Sequence, residues 1–293
     1  MLLNIRYYVI MITSVFLALG IGIVIGFSLD GQEIFVQQQQ GLIGELEQRF
    51  TELKNENTSL KSMVDLKEKE LNSHRDFADE VFLKLVEGCL SGITVAVIEC
   101  DDELVDTKVI DTLMDTGANV TSVTHITKGY IEQNPRLIIE LKENLDEFVE
   151  DAYMHSYISK RLVNAIVTGR DKLFAEQMKD LGVIEVSGGY DVGVDYFILS
   201  GGGREENRER VEKIYMPIIN AIKDSNIPLV GVERTDCEQS GIRFYKSLKI
   251  STVDNIDSII GRYSLVKVLQ GNEGHYGVKD TADMLIPAEN TAR

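Results

Sequence analysis

The sequence predicts an α/β protein on a helical mount: an N-terminal transmembrane helix, a long coiled-coil helix, and then a largely parallel, Rossmann-like three-layer domain with a helical insertion. Three observations predict it. Residues 7–29 (YYVIMITSVFLALGIGIVIGFSL) carry no charge and are apolar almost throughout. Residues 32–87 are rich in Glu, Gln, Lys and Leu, hold no proline and repeat every seven residues. Beyond Gly88, β-branched runs alternate with helical ones, the pattern of a parallel sheet covered on both faces. The expected domains are an anchor (1–31), a coiled-coil stalk (32–87), an extracytoplasmic α/β domain (88–286) and a tail (287–293).

As a helix, the anchor would span roughly 34 Å, enough to cross a hydrocarbon layer about 30 Å thick. A cleaved signal has a shorter apolar core that ends in small residues, whereas this run continues to Leu29, so a retained anchor is expected. Arg6 precedes the span, Asp30 and Glu33 follow it, and the next basic residue is Arg49. That asymmetry places the N-terminus in the cytoplasm and the rest of this single-pass chain outside the cell membrane. Ala18, Gly22 and Gly26 recur every four residues and would let a second helix approach closely, although membrane helices also tolerate glycine without such packing.

In the stalk, the a positions are Val36, Ile43, Phe50, Asn57, Val64, Leu71, Ala78 and Leu85, and the d positions Gln39, Leu46, Leu53, Leu60, Lys67, His74 and Val81. The seam is strong from Ile43 to Val64 and weakens at Lys67 and His74. Asn57 at an a position is the usual device for setting register in a two-stranded coil. In a parallel pair Glu56 faces Lys61 favourably and Arg49 faces Lys54 unfavourably, so these charges offset each other. A parallel homodimer is expected.

In the head, Ile93–Glu99 reads as a buried strand, Glu103–Thr116 as a helix stopped by Gly117, and Asn119–Thr124 as a second strand, together a βαβ unit. Pro135–Gly169 reads as the helical insertion, Asp171–Leu181 as a helix and Val183–Val186 as a strand. Tyr196–Leu199 is a strand leading through Ser200, Gly201, Gly202 and Gly203 into a helix from about Arg204 to Lys223. Strands at Ile227–Glu233 and Ile250–Val253 flank a helix at Gln239–Leu248. The last helix, Asn255–Leu269, is expected to be capped by Asp254.

The net charge of −17, from 30 basic and 47 acidic residues, argues against nucleic-acid binding and against a peripheral hold on anionic lipid. Cys89, Cys100 and Cys237 leave room for one disulfide but read more plainly as small hydrophobes. Ser200–Gly203 is a candidate ligand loop above a helix N-terminus, yet it lacks the P-loop and dinucleotide fingerprints. Glu205 and Glu206 put negative charge where a phosphate would sit, so a structural turn is favoured. Asp101, Asp102 and Glu103 lie where α/β folds often bind ligands, but they read more plainly as a helix N-terminal cluster. There is no GxSxG or HExxH, and His74, His125, His155 and His275 are far apart. Met154 and His155 offer soft donors, but neighbours on a helix point in different directions. No catalytic residue, metal site or cofactor is assigned, and the protein is expected not to be an enzyme.

The anchor VFLALGIGIVIG (Val15–Gly26) with the coiled coil behind it, the segment STVDNIDSIIGR (Ser251–Arg262) and the segment GNEGHYGV (Gly271–Val278) resemble the mycobacterial copper transport protein B (MctB) family. The resemblance spans nearly the whole architecture, with Asp254, Gly274, His275, Tyr276 and Gly277 in its specific motifs. It implies an envelope protein tied to copper transport and homeostasis, with copper as a ligand by resemblance only. The residues alone equally allow a coiled-coil envelope scaffold or signalling protein whose α/β domain binds a ligand or another envelope protein.

Overall fold

Helix α1 runs unbroken from Ile5 to Val86, because a stretch without proline leaves its i→i−4 ladder intact. A computed structural model describes residues 5–100, 107–131, 139, 149–150, 153–190, 193–202 and 208–288. The chain divides into two compact units, Met1–His74 and Arg75–Arg293. In the first unit, Ile5–Phe27 is long and apolar enough to cross a membrane. The remainder of that unit is the charged, heptad-patterned helix, with Asn57 exposed.

The second unit is built on a seven-stranded sheet: β1 (Thr94–Glu99), β2 (Asn119–Ile126), β3 (Ile184–Gly188), β4 (Tyr196–Ser200), β5 (Leu229–Val232), β6 (Ser251–Val253) and β7 (His275–Tyr276). Its order is β3-β2-β1-β4-β5-β6-β7, and every neighbouring pair is parallel except β2 with β3. The helices are α2 (Thr107–Asp115), α3 (Lys128–Ile131), α4 (Met154–Thr168), α5 (Lys172–Asp180), α6 (Met216–Asp224), α7 (Ile242–Ser247) and α8 (Ile259–Leu269).

Alternation along the strands makes two cores. In β1, Val95 and Val97 face one way, into a cluster with Val109 and Leu113 of α2, Leu265 and Leu269 of α8, and Phe82 and Val86 from the end of α1. Ala96, Ile98 and then Cys100 face the other way, into a cluster with Leu162 of α4, Met178 of α5, Ile218 of α6 and Tyr245 of α7. A sheet buried on both faces explains why these strands read as continuous apolar runs.

The last turns of α1 therefore belong to the head. Arg262 of α8, only 8% exposed, donates Nη2–H to Asp79 Oδ1 at 2.6 Å and Nη1–H to Thr112 Oγ1 at 3.3 Å. Its guanidinium carbon also lies 5.1 Å from the centre of the Phe82 ring. One buried cation thus ties together α1, α2 and α8.

Two local features differ from the sequence expectation. Among the described residues, the helix leading to α6 runs through Arg208–Arg210 and then widens into a π-helical turn at Val211–Tyr215, where Met216 N–H reaches back to Val211 O. Pro217 explains the widening: it has no N–H, and its ring crowds the carbonyl four residues back. The last helix is not capped by Asp254. It begins at Ile259, and the Ser258 hydroxyl accepts from Gly261 N–H at 3.1 Å, because the Asp254 carboxylate is already taken by distant backbone.

Candidate functional site

A parallel sheet aligns its strand ends, and here the C-terminal edge carries polar groups on adjoining strands: Glu99 ending β1, His125 near the end of β2, Ser200 ending β4, Glu233 just past β5 and Asp254 just past β6. Glu99 is paired in register with His125 on one side and Ser200 on the other. Such an edge, where neighbouring loops diverge, is where α/β folds place ligands. Its acids are buried: Glu99 is 4%, Glu233 1% and Asp254 0% exposed. A buried carboxylate needs a partner, so the partners show which part of the edge the chain itself fills.

At the β5/β6 end the chain supplies the partners. The Glu233 carboxylate accepts from Ser240 Oγ–H at 2.8 Å, Gly241 N–H at 2.8 Å and Lys279 Nζ at 2.7 Å. Burial pushes its pKa up, against the pull of Lys279, Ser240 and the Gly241 N–H. Asp254 accepts from Val278 N–H at 2.8 Å and Lys279 N–H at 3.1 Å, and Gly277 leaves no room for a side chain beside that carboxylate. The segment after β7 thus straps down the ends of β5 and β6.

The β4 loop is filled as well. Gly201 N–H donates to Val232 O at 2.8 Å, and a Cβ on Gly201 would enter the Tyr245 ring. Gly202, at φ +90°, lies against Cys237 and Glu233. Gly203, Glu205, Glu206 and the trio Asp101, Asp102 and Glu103 lie outside the described residues.

The β1/β2 end has a different character. His125 Nδ1 is 3.5 Å from Glu99 Oε2, too far for a well-formed hydrogen bond. On the other face, buried Arg210 donates Nη1–H to Cys100 O at 2.7 Å. Tyr130 donates to His155 O at 3.1 Å and shares a hydrogen bond with Ser159 Oγ at 2.9 Å, and burial drives its pKa well above that of an ordinary phenol. Its ring centre is 5.2 Å from that of His155. The pKa of His155 is lowered, first by burial and then by Lys213, with Glu209 opposing. Sequence reasoning missed Arg210, Arg262 and the Glu233–Lys279 pair; the one sequence signal was a charged residue directly after an apolar strand.

The other candidates are dispersed. Met154 and His155 are both buried. Among the described residues no three His, Cys, Asp or Glu side chains are grouped to hold a metal. Cys89 is exposed, Cys100 buried and Cys237 half-buried. In the anchor, a Cβ at Gly22 or Gly26 would meet nothing within 4 Å.

The two motifs near the C-terminus meet in space. Thr252 Oγ1 lies 3.0 Å from His275 Nδ1, Gly274 N–H donates to Ser251 Oγ at 3.2 Å, and Asp254 holds Val278 and Lys279. His275 thus serves the β6/β7 pairing. No curated protein matches the chain. These interlocked motifs and the apolar N-terminal helix agree with one family model, described as copper transport outer membrane protein, MctB, which matches residues 2–287, and the chain belongs to that family.

Proposed function

We propose that this protein is a single-pass envelope protein that supports copper transport and homeostasis without catalysis, with its N-terminus in the cytoplasm and its α/β head outside. One observation carries the membrane part. The large apolar side chains of Ile5–Phe27 are 52–84% exposed, and lipid is the natural cover for such a run. The helices packed on both faces of the sheet support the N-terminal helix as the membrane contact. Family membership supports the link to copper, as cargo rather than as a resident cofactor. The strand order, which reverses direction between β1 and β4, supports a Rossmann-like reading with its ligand crevice at that point. The heptad seam supports a parallel homodimer.

A second reading has its own support. The C-terminal edge of the sheet, where the strand order reverses, suits a scaffold or signalling role in which the head binds another envelope component. A deletion strain separates the two. Raised total copper and copper sensitivity, restored by the full chain but not by a chain lacking residues 1–31, are expected for the first reading. Unchanged copper and unchanged sensitivity would remove it.

A further inference from the structure

We infer that the contact between two copies runs on past the polar break of the seam into the last turns of α1, which dock on the head, along an exposed apolar stripe formed by Phe77, Val81 and Leu85. This rests on the paired-stalk reading proposed above and deepens it. The three residues recur every four positions and so share one stripe of the helix. They are 68%, 45% and 59% exposed. The neighbouring stripe, about 100° round the helix, is the one the head covers: Phe82 and Val86 are buried, and Asp79 is held by Arg262. The helix is therefore fixed to its own head on one side and shows bare hydrophobic side chains on another.

The occupant is a second copy of this chain. Val81 and Leu85 fall on the d and a positions of the heptad count that defines the stalk seam, so the apolar line resumes here after the polar interruption at Lys67 and His74. Charge agrees with parallel pairing. Glu56 faces Lys61 and Glu70 faces Arg75 across the pair, two attractive contacts against one repulsive contact, Arg49 with Lys54. Two chains anchored by N-terminal helices in one membrane can bring these stalks together only in parallel.

Cysteine cross-linking of the full chain in membranes tests this. In a C89S background, which removes the exposed native thiol, single variants V81C and L85C are compared with E80C, which lies off the stripe, and with L53C in the stalk seam. Facing a and d positions hold Cα atoms within about 7 Å, the span a disulfide accepts. Expected is a covalent dimer from V81C, L85C and L53C at several times the E80C yield. If L53C cross-links while V81C and L85C do no better than E80C, the extension is wrong and the paired stalk stands. If L53C also fails, the paired stalk itself is wrong. Equal yields from E80C and V81C would place the contact on another face and overturn the inference.

Discussion

Breaking the Arg262–Asp79 pair from its two ends should give unequal losses, the larger from the more exposed partner. The Arg262 side chain is 10% exposed and the Asp79 side chain 42%. In D79A the guanidinium stays buried and charged, its Nε already without a hydrogen-bond partner and its nearest hydroxyl, Thr112, 3.3 Å away. Removing one partner of a fully buried pair costs about 3–5 kcal/mol, and solvent at the Asp79 side reduces that to about 2–4. In R262M the surviving carboxylate turns to water, while methionine keeps much of the packing on Phe82. The loss is then the charge-assisted hydrogen bond and the cation–π contact, offset by relief of a desolvated charge, about 1–2 kcal/mol in all. For a unit of this size each kcal/mol lowers Tm by about 2–4 °C, so D79A should melt roughly 5–15 °C and R262M roughly 2–8 °C below the parent. Thermal unfolding of the full chain in detergent, followed by near-ultraviolet circular dichroism, reads both. A larger loss in R262M than in D79A, or no loss in either, would refute the reasoning.

Three further outcomes are expected. G277A forces a Cβ toward the Asp254 carboxylate at φ +148°, costing about 1–3 kcal/mol, and hydrogen exchange at Val278 and Lys279 N–H should speed up well before global unfolding. His155 and His275 both have lowered pKa values, through burial and then Lys213 or Lys246 respectively, so they stay neutral in the fold and take up protons more readily once unfolded. Their contribution to stability is therefore full above about pH 6.5 and falls as pH drops through the window below it, and H275Q should flatten that part of the slope in urea titrations at pH 5–7.5. L17R, at the middle of the apolar helix, should cost about 3–4 kcal/mol of insertion and release the chain on alkaline carbonate extraction, whereas parent protein stays in the pellet.

The strands were legible where burial on both faces demanded β-branched runs, as in ITVAVIE and YFIL, and the helix–strand alternation of the head could be read directly. The antiparallel pairing of β3 was not, because its partner β2 ends 58 residues earlier (184 against 126) and pairing direction leaves no local mark. The cap of α8 went to Asp254 because Asp and Ser compete equally for that role in sequence. Only the backbone at Val278 and Lys279, 24 and 25 residues on, decides it. Heptad counting leaves Phe82 and Val86 off the a and d positions, and nothing local announces that Arg262, 183 residues beyond Asp79, will hold that turn. At the sheet edge, the Ser200–Gly202 turn was visible from its glycines, but the residues that fill it, Tyr245 and Cys237, come from other elements.

The docked end of α1 sets where this protein can be cut. A soluble fragment begun at the glycine that ends the helix, Gly88, would lose Phe82 and Val86 and strip apolar burial of about 1.5–3 kcal/mol for each. It would also leave Arg262 charged in a dry groove. An expression boundary at or before Arg75 retains the piece of stalk without which the catalogue of head residues is incomplete, and anyone producing the head for binding work would do well to begin there.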